Sequence, residues 1–184
     1  MKKLLALSFS FLFLLASCSS VTEETVTEET PPELAADKME IPWFDMMLTD
    51  VRTGDAFSIA ELAEKPVLIE SFAVWCPTCK RQQDKILELH EELGDSFVSL
   101  ALDTDPNEDS ETVLDYAESN GYTWLFAVSP AELTSAMIDE FGISVVNAPL
   151  VPVILFCEDE SATLLKRGVK SAKELKTAIE NNCS

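Results

Sequence analysis

Two cysteines held two residues apart, Cys76 and Cys79, lie where a strand pattern hands over to a helical one. Upstream, Lys65-Pro66 opens Val67-Leu-Ile-Glu-Ser-Phe-Ala73, a run of the kind that forms a buried strand and that carries a single acid. Downstream, Ile86, Leu87, Leu89 and Leu93 recur at helical spacing between Pro77 and Leu93. The junction puts Cys76 at a helix N-terminus, where unpaired N–H groups and the macrodipole favour a thiolate. Pro77 suits the first helical turn because it has no N–H to leave unsatisfied. The intervening Pro77 and Thr78 bring Cys79 within disulfide reach of Cys76 while keeping it shielded. The expected chemistry is thiol–disulfide exchange, with Cys76 attacking a partner's disulfide and Cys79 resolving the mixed disulfide. Half of a structural zinc site is the competing reading. Zinc takes four ligands, and the other candidates, Cys157, Cys183 and His90, stand isolated. His90 itself reads as a helix-surface residue. Neither a metal nor a cofactor is expected.

The rest of the chain supplies an alternating order of elements. Trp43 to Leu48 and Ala56 to Ile59 read as short strands around a turn at Arg52-Thr-Gly-Asp55, an N-terminal hairpin. Phe97 to Leu102 is a second buried strand, ending in an acidic loop from Asp103 to Asp109. A helix from Ser110 to Asn120 closes at Gly121, and a strand from Tyr122 to Val128 and a helix from Leu133 to Phe141 follow. Val153 to Phe156 and Thr163 to Lys166 read as an antiparallel pair, and Ser171 to Asn181 as a final amphipathic helix. Such an order predicts an α/β fold with crossover helices.

Residues Val67 to Lys80, VLIESFAVWCPTCK, resemble the active-site strand and motif of the thioredoxin superfamily. The Phe-Ala pair and Trp75, immediately before the first cysteine, are part of the likeness. Over roughly residues 41–181 the chain resembles the TlpA/ResA-like branch of membrane-anchored thiol–disulfide oxidoreductases. That resemblance implies a thioredoxin-like fold: a central mixed β-sheet flanked by helices, an N-terminal hairpin, and a central helix–strand insertion over residues 106–128. It also implies a buried acid six residues before the first cysteine, which is Glu70. A carboxyl group buried there has its pKa raised and can relay a proton to or from Cys79. The family's cis-proline facing the disulfide falls on Pro152, ahead of the apolar strand Val153-Ile-Leu-Phe156, with Pro149 as the alternative. Val151, just before it, would then present backbone groups to a bound substrate strand. Val is less usual there than Thr for this branch. The Cys76-Pro77-Thr78-Cys79 motif also resembles reductases of cytochrome c maturation.

The N-terminus reads as a targeting segment. Lys2 and Lys3 precede an uncharged apolar stretch, Leu4 to Ala16, shorter than the roughly 20 residues of a membrane span. It ends in Leu15-Ala16-Ser17-Cys18, which resembles the lipobox of prokaryotic lipoproteins. The expectation is a signal peptide over residues 1–17, lipid attachment at Cys18, and a membrane association through that lipid. Removing the two lysines takes the formal charge from −20 to −22. Val21-Thr-Glu-Glu-Thr25 recurs as Val26-Thr-Glu-Glu-Thr30 before Pro31-Pro32, so residues 18–40 read as an acidic, disordered tether. The domain then occupies residues 41–184. With 33 acidic against 13 basic residues, a nucleic-acid partner is excluded, because phosphate neutralisation needs clustered Lys and Arg.

Two further cysteines remain. If the strand from Pro152 starts near the active site, Cys157 ends about 16 Å away at the opposite pole. The next strand returns, and a helix of about 15 Å from Ser171 carries Cys183 back to that same pole. A structural disulfide between Cys157 and Cys183 is the expectation, with two free thiols as the alternative.

The functional expectation is a lipid-anchored, extracytoplasmic oxidoreductase acting on disulfide-containing exported proteins, as a reductant or isomerising partner. No His separates the cysteines, which favours reduction over strong oxidation. A reductant outside the cytoplasm needs electrons delivered across the membrane, so a membrane thiol–electron donor is an expected partner. A peroxiredoxin-like peroxidase is one alternative, although an isolated peroxidatic Cys with Thr and Arg around it fits Cys-x-x-Cys followed by Lys80-Arg81 poorly. A non-catalytic thioredoxin-fold binding lipoprotein is the other.

Overall fold

The computed structural model describes residues 41–183; the signal segment, Cys18 and the whole of the tether lie outside them. Among these residues, Val67–Phe72 forms the central strand, β3 by the numbering used here, following β1 (Leu48–Thr49), β2 (Ala56–Phe57) and α1 (Ile59–Leu62). All six residues of β3 are buried, as a strand covered on both faces requires. After it come α2 (Pro77–Leu93), β4 (Val98–Asp103), α3 (Ser110–Asn120), β5 (Leu125–Val128) and α4 (Ala131–Phe141). The chain ends with β6 (Val153–Phe156), β7 (Ala162–Leu164) and α5 (Ala172–Asn182).

The five-stranded sheet has the order β5-β4-β3-β6-β7. β3 runs parallel to β4 and β4 to β5, whereas β6 is antiparallel to both β3 and β7. The sheet is therefore mixed, with helices over both faces, and the α3–β5 unit is inserted between β4 and α4. Successive side chains of a strand point to opposite faces. Leu68 and Phe72 thus join Ile86 and Leu89 of α2, Val113 of α3 and Leu175 of α5 in one core layer. Val67 and Ile69 join Trp43, Ile59 and, from α4, Leu133 and Met137 in the other. Glu70 shares the face of Leu68 and Phe72 and so projects toward α2.

Local sequence explains the ends of the elements. Ser58 and Glu61 form a reciprocal capping box that starts α1, a four-residue helix where the sequence reading had the end of a strand. Ser171 and Glu174 do the same for α5. Gly121 closes α3 in the left-handed conformation at φ 72°, which a side chain would strain.

Two expected strands, Trp43 to Leu48 and Tyr122 to Val128, begin later in the chain than read. Trp43–Asp45 is a 3-10 turn that sends Trp43 into the core against Phe141 and Phe156, with ring centroids 5.5 and 5.6 Å away. β5 begins only at Leu125, because the carbonyls of Tyr122 and Trp124 are taken by the Arg52 guanidinium at 2.6 and 3.3 Å. With Val51 N–H donating to Phe126 O at 2.9 Å, the tip of the hairpin thereby covers the outer edge of the sheet. No helix among the described residues is long and apolar enough to cross a membrane.

Candidate active site

β3 ends at Phe72, and four residues later Cys76 is the N-cap of α2, its backbone extended at φ −88° and ψ 105°. Cys76 N–H donates to Ala73 O at 3.0 Å, which fixes the turn between strand and helix. Pro77 occupies the first turn, where it leaves no donor unpaired. Cys76 and Cys79 are joined in a disulfide with their Cα atoms 5.3 Å apart. The Cys79 backbone N–H donates to Cys76 Sγ at 3.2 Å. Thr78 Oγ1 lies 3.2 Å from the same sulfur and donates to Pro149 O at 3.5 Å. Both sulfurs are buried, Cys76 at 1% exposure and Cys79 at 0%. Cys79 Sγ sits 3.2 Å from Ala148 O, an acceptor for its proton side once the disulfide is reduced.

Beside the pair is a groove of about 740 Å³, lined by Trp75, Asp105, Ile143, Ala148, Pro149 and Arg167 among others. Trp75 is 59% exposed at its rim, and its indole Nε1 donates to Asp105 Oδ2 at 2.6 Å. Glu108 Oε2 accepts the Val74 N–H at 2.8 Å. The loop read from the sequence as merely acidic therefore holds the segment that leads into Cys76. Asp103, at its start, is fully buried, and its pKa is pushed up to about 7, first by that burial and then by the neighbouring Glu108 carboxylate. A run of acids after a strand gave no sign of which of them would turn inward.

Glu70 is fully buried, and neither of its oxygens has a hydrogen-bond partner. Burial holds its pKa well above the usual carboxylate range, and the Lys170 charge and the Gln83 amide pull it back down. The Gln83 amide lies close but outside hydrogen-bonding geometry, since its Nε2 is unpartnered too. Gln83 follows Cys79 by four residues, so on α2 it stacks one turn below the buried cysteine. Glu70 accordingly lies beneath Cys79 in the core.

The segment facing the disulfide runs from Ala148 to Pro152. The recorded contacts to the cysteines and Thr78 come from the carbonyls of Ala148 and Pro149. Pro152 continues the β3–β6 ladder instead, its carbonyl accepting Ser71 N–H at 3.2 Å. Val151 adopts the left-handed conformation at φ 52°. Its N–H goes to Ala148 O at 2.8 Å, and its carbonyl accepts Lys170 Nζ at 2.6 Å. Both backbone groups that were expected to meet a substrate are thus engaged internally.

At the opposite end of β6 and α5, Cys157 is joined to Cys183, again with Cα atoms 5.3 Å apart. A cavity of about 410 Å³ lies beside that bond, lined by Glu64, Lys65 and Asn182 as well as the two cysteines. His90 differs from its expected place on the helix surface. It stacks on Phe97 with ring centroids 4.3 Å apart, and its Nε2 is 2.9 Å from Ser99 Oγ. Half-burial lowers its pKa. The apolar neighbours Leu89 and Leu93 hid it, because spacing alone does not separate a flank from a face. Among the described residues, no cluster of three or more His, Cys, Asp or Glu side chains is placed to hold a metal.

A family model described as Redoxin matches residues 34–176. No curated protein matches the chain. Solved structures are similar in fold. A thiol:disulfide interchange protein of the thioredoxin family from Chlorobium tepidum is 19% identical, with a TM-score of 0.60 over 79% of this chain and 98% of that one. A DsbF homologue from Corynebacterium diphtheriae is 20% identical, with a TM-score of 0.60 over 79% and 88%. A secreted disulfide oxidoreductase from Mycobacterium tuberculosis, homologous to E. coli DsbE, is 15% identical, with a TM-score of 0.56 over 76% and 97%.

Proposed function

The chain belongs to the redoxin family and is a thiol–disulfide oxidoreductase of the thioredoxin superfamily, and on that premise we propose that it is a lipid-anchored, extracytoplasmic reductase or isomerase of disulfides in exported proteins. The observation that carries the chemistry is Cys76 capping α2, with its sulfur on the Cys79 N–H at 3.2 Å. That donor and the helix terminus favour the thiolate at Cys76 over the thiol.

In the reduced protein the Cys76 thiolate attacks one sulfur of a substrate disulfide. The substrate S–S bond breaks, one substrate sulfur leaves as a thiolate, and a mixed disulfide forms on Cys76. Cys79 then gives up its proton and attacks Cys76 Sγ. The second substrate sulfur departs with the electron pair, both substrate thiolates take protons from solvent, and the Cys76–Cys79 disulfide is complete. Buried Glu70 of β3, beside Gln83 one turn of α2 below Cys79, is the acceptor for that proton in this reading. Thr78 steadies the Cys76 sulfur, Trp75 borders the substrate groove, and Ala148, Pro149 and Leu150, just ahead of Val151 and Pro152, line its other wall.

Residues 1–17 are assigned to a signal peptide, Cys18 to the lipid, residues 18–40 to a tether, and residues 41–184 to the catalytic domain. The lipobox-like Leu15-Ala16-Ser17-Cys18 supports this assignment. So does the fold neighbour from M. tuberculosis, which is described as secreted. Electrons come from a membrane thiol donor, and apocytochromes c are one candidate substrate class, by the likeness of the Cys-Pro-Thr-Cys motif.

Trapping tests the whole reading. Cys79→Ser leaves Cys76 unable to release its partner, so exported proteins are expected to accumulate as mixed disulfides on Cys76. An empty trap, together with unchanged insulin reduction by Cys76→Ala, would refute the assignment. Incorporation of labelled fatty acid that persists in Cys18→Ser would remove the lipid anchor.

A further inference from the structure

Lys170 is one of the largest fully buried side chains of the protein, at 2% exposure, yet nothing in the thiol chemistry above uses it. In the sequence it lies one residue before the Ser171 cap of α5, among the exposed residues of that turn. Its ammonium instead sits in a cradle of backbone carbonyls: Val151 O at 2.6 Å, Gly168 O at 2.8 Å and Lys166 O at 3.4 Å. Its backbone is clamped from α2. Gln82, fully buried three residues after Cys79, accepts Lys170 N–H at 2.7 Å and donates to Lys170 O at 3.1 Å. One residue therefore joins the cysteine helix, the loop in front of the disulfide and the interior beneath it.

A buried cation is costly unless it serves a buried anion. The groups that face Lys170 are few. Glu174 of α5 attracts it and Lys166 opposes it, and both lie at the surface around their own ion pair. The remaining one is Glu70 of β3, buried without a hydrogen-bond partner. Around Glu70, Gln83 of α2 and the hydroxyl-bearing rings Tyr116 and Tyr122 are neutral at physiological pH. Tyr116 OH is turned away to Gln83 Oε1 at 2.6 Å, and Tyr122 OH to Asp84 Oδ1 at 2.7 Å. Lys170 is the one cation that acts on Glu70 among the described residues.

We propose that Lys170 is a positioning residue of the redox site, whose buried ammonium keeps Glu70 able to accept the Cys79 proton while it pins Val151 in front of the disulfide. The inference rests on the reading of Glu70 as that acceptor. Burial pushes the Glu70 pKa up and Lys170 pulls it down. Without the cation Glu70 stays protonated to a higher pH, and Cys79 loses the base it needs to attack Cys76. Lys170 itself has its pKa lowered to about 8 by burial, so it is charged at neutral pH.

The test is a single-turnover reaction of the reduced full chain with dye-labelled glutathione disulfide, followed across pH. Attack by Cys76 releases the first glutathione, and attack by Cys79 releases the second. In Lys170→Met the midpoint of the second phase is expected to move up by about one pH unit, a tenfold loss of rate on the acid side of the profile. Lys170→Gln, whose amide still reaches toward the carbonyls, carries the same test if the Met variant does not fold. Lys170→Arg keeps the charge and is expected to keep the midpoint, even if the packing change lowers the plateau. A second phase slowed equally at every pH in the neutral variants, with its midpoint in place, would overturn the proposal and leave Lys170 a structural residue. Glu70→Gln separates the two layers: if the midpoint of the parent persists there, Glu70 is not the acceptor and both readings fall. If Glu70→Gln removes the midpoint but Lys170→Met does not move it, the Lys170 proposal alone fails.

Discussion

The two disulfides of this domain are the same bond placed at opposite ends of a helix. Cys76 is the N-cap of α2, and Cys183 is the C-cap of α5. At the first, the helix presents N–H groups to sulfur, and the Cys79 N–H reaches Cys76 Sγ at 3.2 Å. At the second, the helix presents carbonyls and the negative end of its macrodipole, which disfavours a thiolate. The contacts divide in the same way. The Cys76–Cys79 sulfurs meet a hydroxyl, a backbone N–H and a backbone carbonyl from across the groove. Around Cys157–Cys183 the recorded hydrogen bonds run through the backbone alone, as in Cys157 N–H to Ser161 O at 3.0 Å. Sequence separation completes the contrast, at 3 residues for one pair and 26 for the other. Loop-closure entropy makes the long loop worth about 3.5 kcal/mol and the short one about 2. One cross-link is placed to react, and the other to hold.

That contrast can be broken most sharply by activity. Cys76→Ala is expected to lower dithiothreitol-driven insulin reduction to the uncatalysed rate, whereas the double variant Cys157→Ala/Cys183→Ala stays within about twofold of the parent while folded. Loss of turnover in the folded double variant would make the far bond part of the chemistry. The next largest effect is on stability. Denaturant unfolding of the oxidised proteins should show a loss of about 3 kcal/mol for the far double variant and a smaller loss for Cys76→Ala/Cys79→Ala. The reverse order would undo the division of labour.

A third test concerns the acids gathered at the reactive pole. Asp103 has its pKa raised from 3.8 to about 7, so the stability it contributes is complete below pH 3.8 and lost as pH rises through 7. Asp103→Asn keeps an oxygen for the Asp105 N–H and removes the buried charge. It should match the parent at pH 3 and exceed it by about 2 kcal/mol at pH 8 in denaturant titrations. No gain at pH 8 would mean that the carboxylate finds other compensation. The smallest expected effect is kinetic: in the reduced protein at pH 7, iodoacetamide should alkylate Cys76 about tenfold faster than Cys183, as mass-resolved labelling would record. Equal rates would mean that helix ends do not separate the two sulfurs.

The sequence carried the frame of the fold because its strongest signals are local. The apolar run of β3, the proline after Cys76 and the spacing of Ile86, Leu89 and Leu93 each report on neighbours a few residues away. The mixed sheet with its inserted α3–β5 unit follows from their order together with the family resemblance. The Ser58–Glu61 capping box was present in the sequence, yet the aromatic and β-branched residues around it drew a strand reading. What stayed hidden was long-range. Lys170 finds its anchor, Gln82, 88 residues away, and no periodicity in Gly168-Val-Lys-Ser171 marks a lysine that turns inward. Glu108 likewise reaches back 34 residues to the Val74 N–H, so its role depends on how β4 lies against β3.

The hairpin tip deserves a different reckoning from the catalytic parts. With the carbonyls of Tyr122 and Trp124 taken by Arg52 and that of Phe126 taken by Val51, the rim strand offers little to a foreign chain seeking to extend the sheet. If many copies share one membrane surface, as the lipid proposed at Cys18 would require, edge-to-edge fibril growth is the standing hazard of their crowding. Arg52 then works as a guard against self-templated aggregation, and β7 at the other margin, only 3 residues long, is too short to seed it.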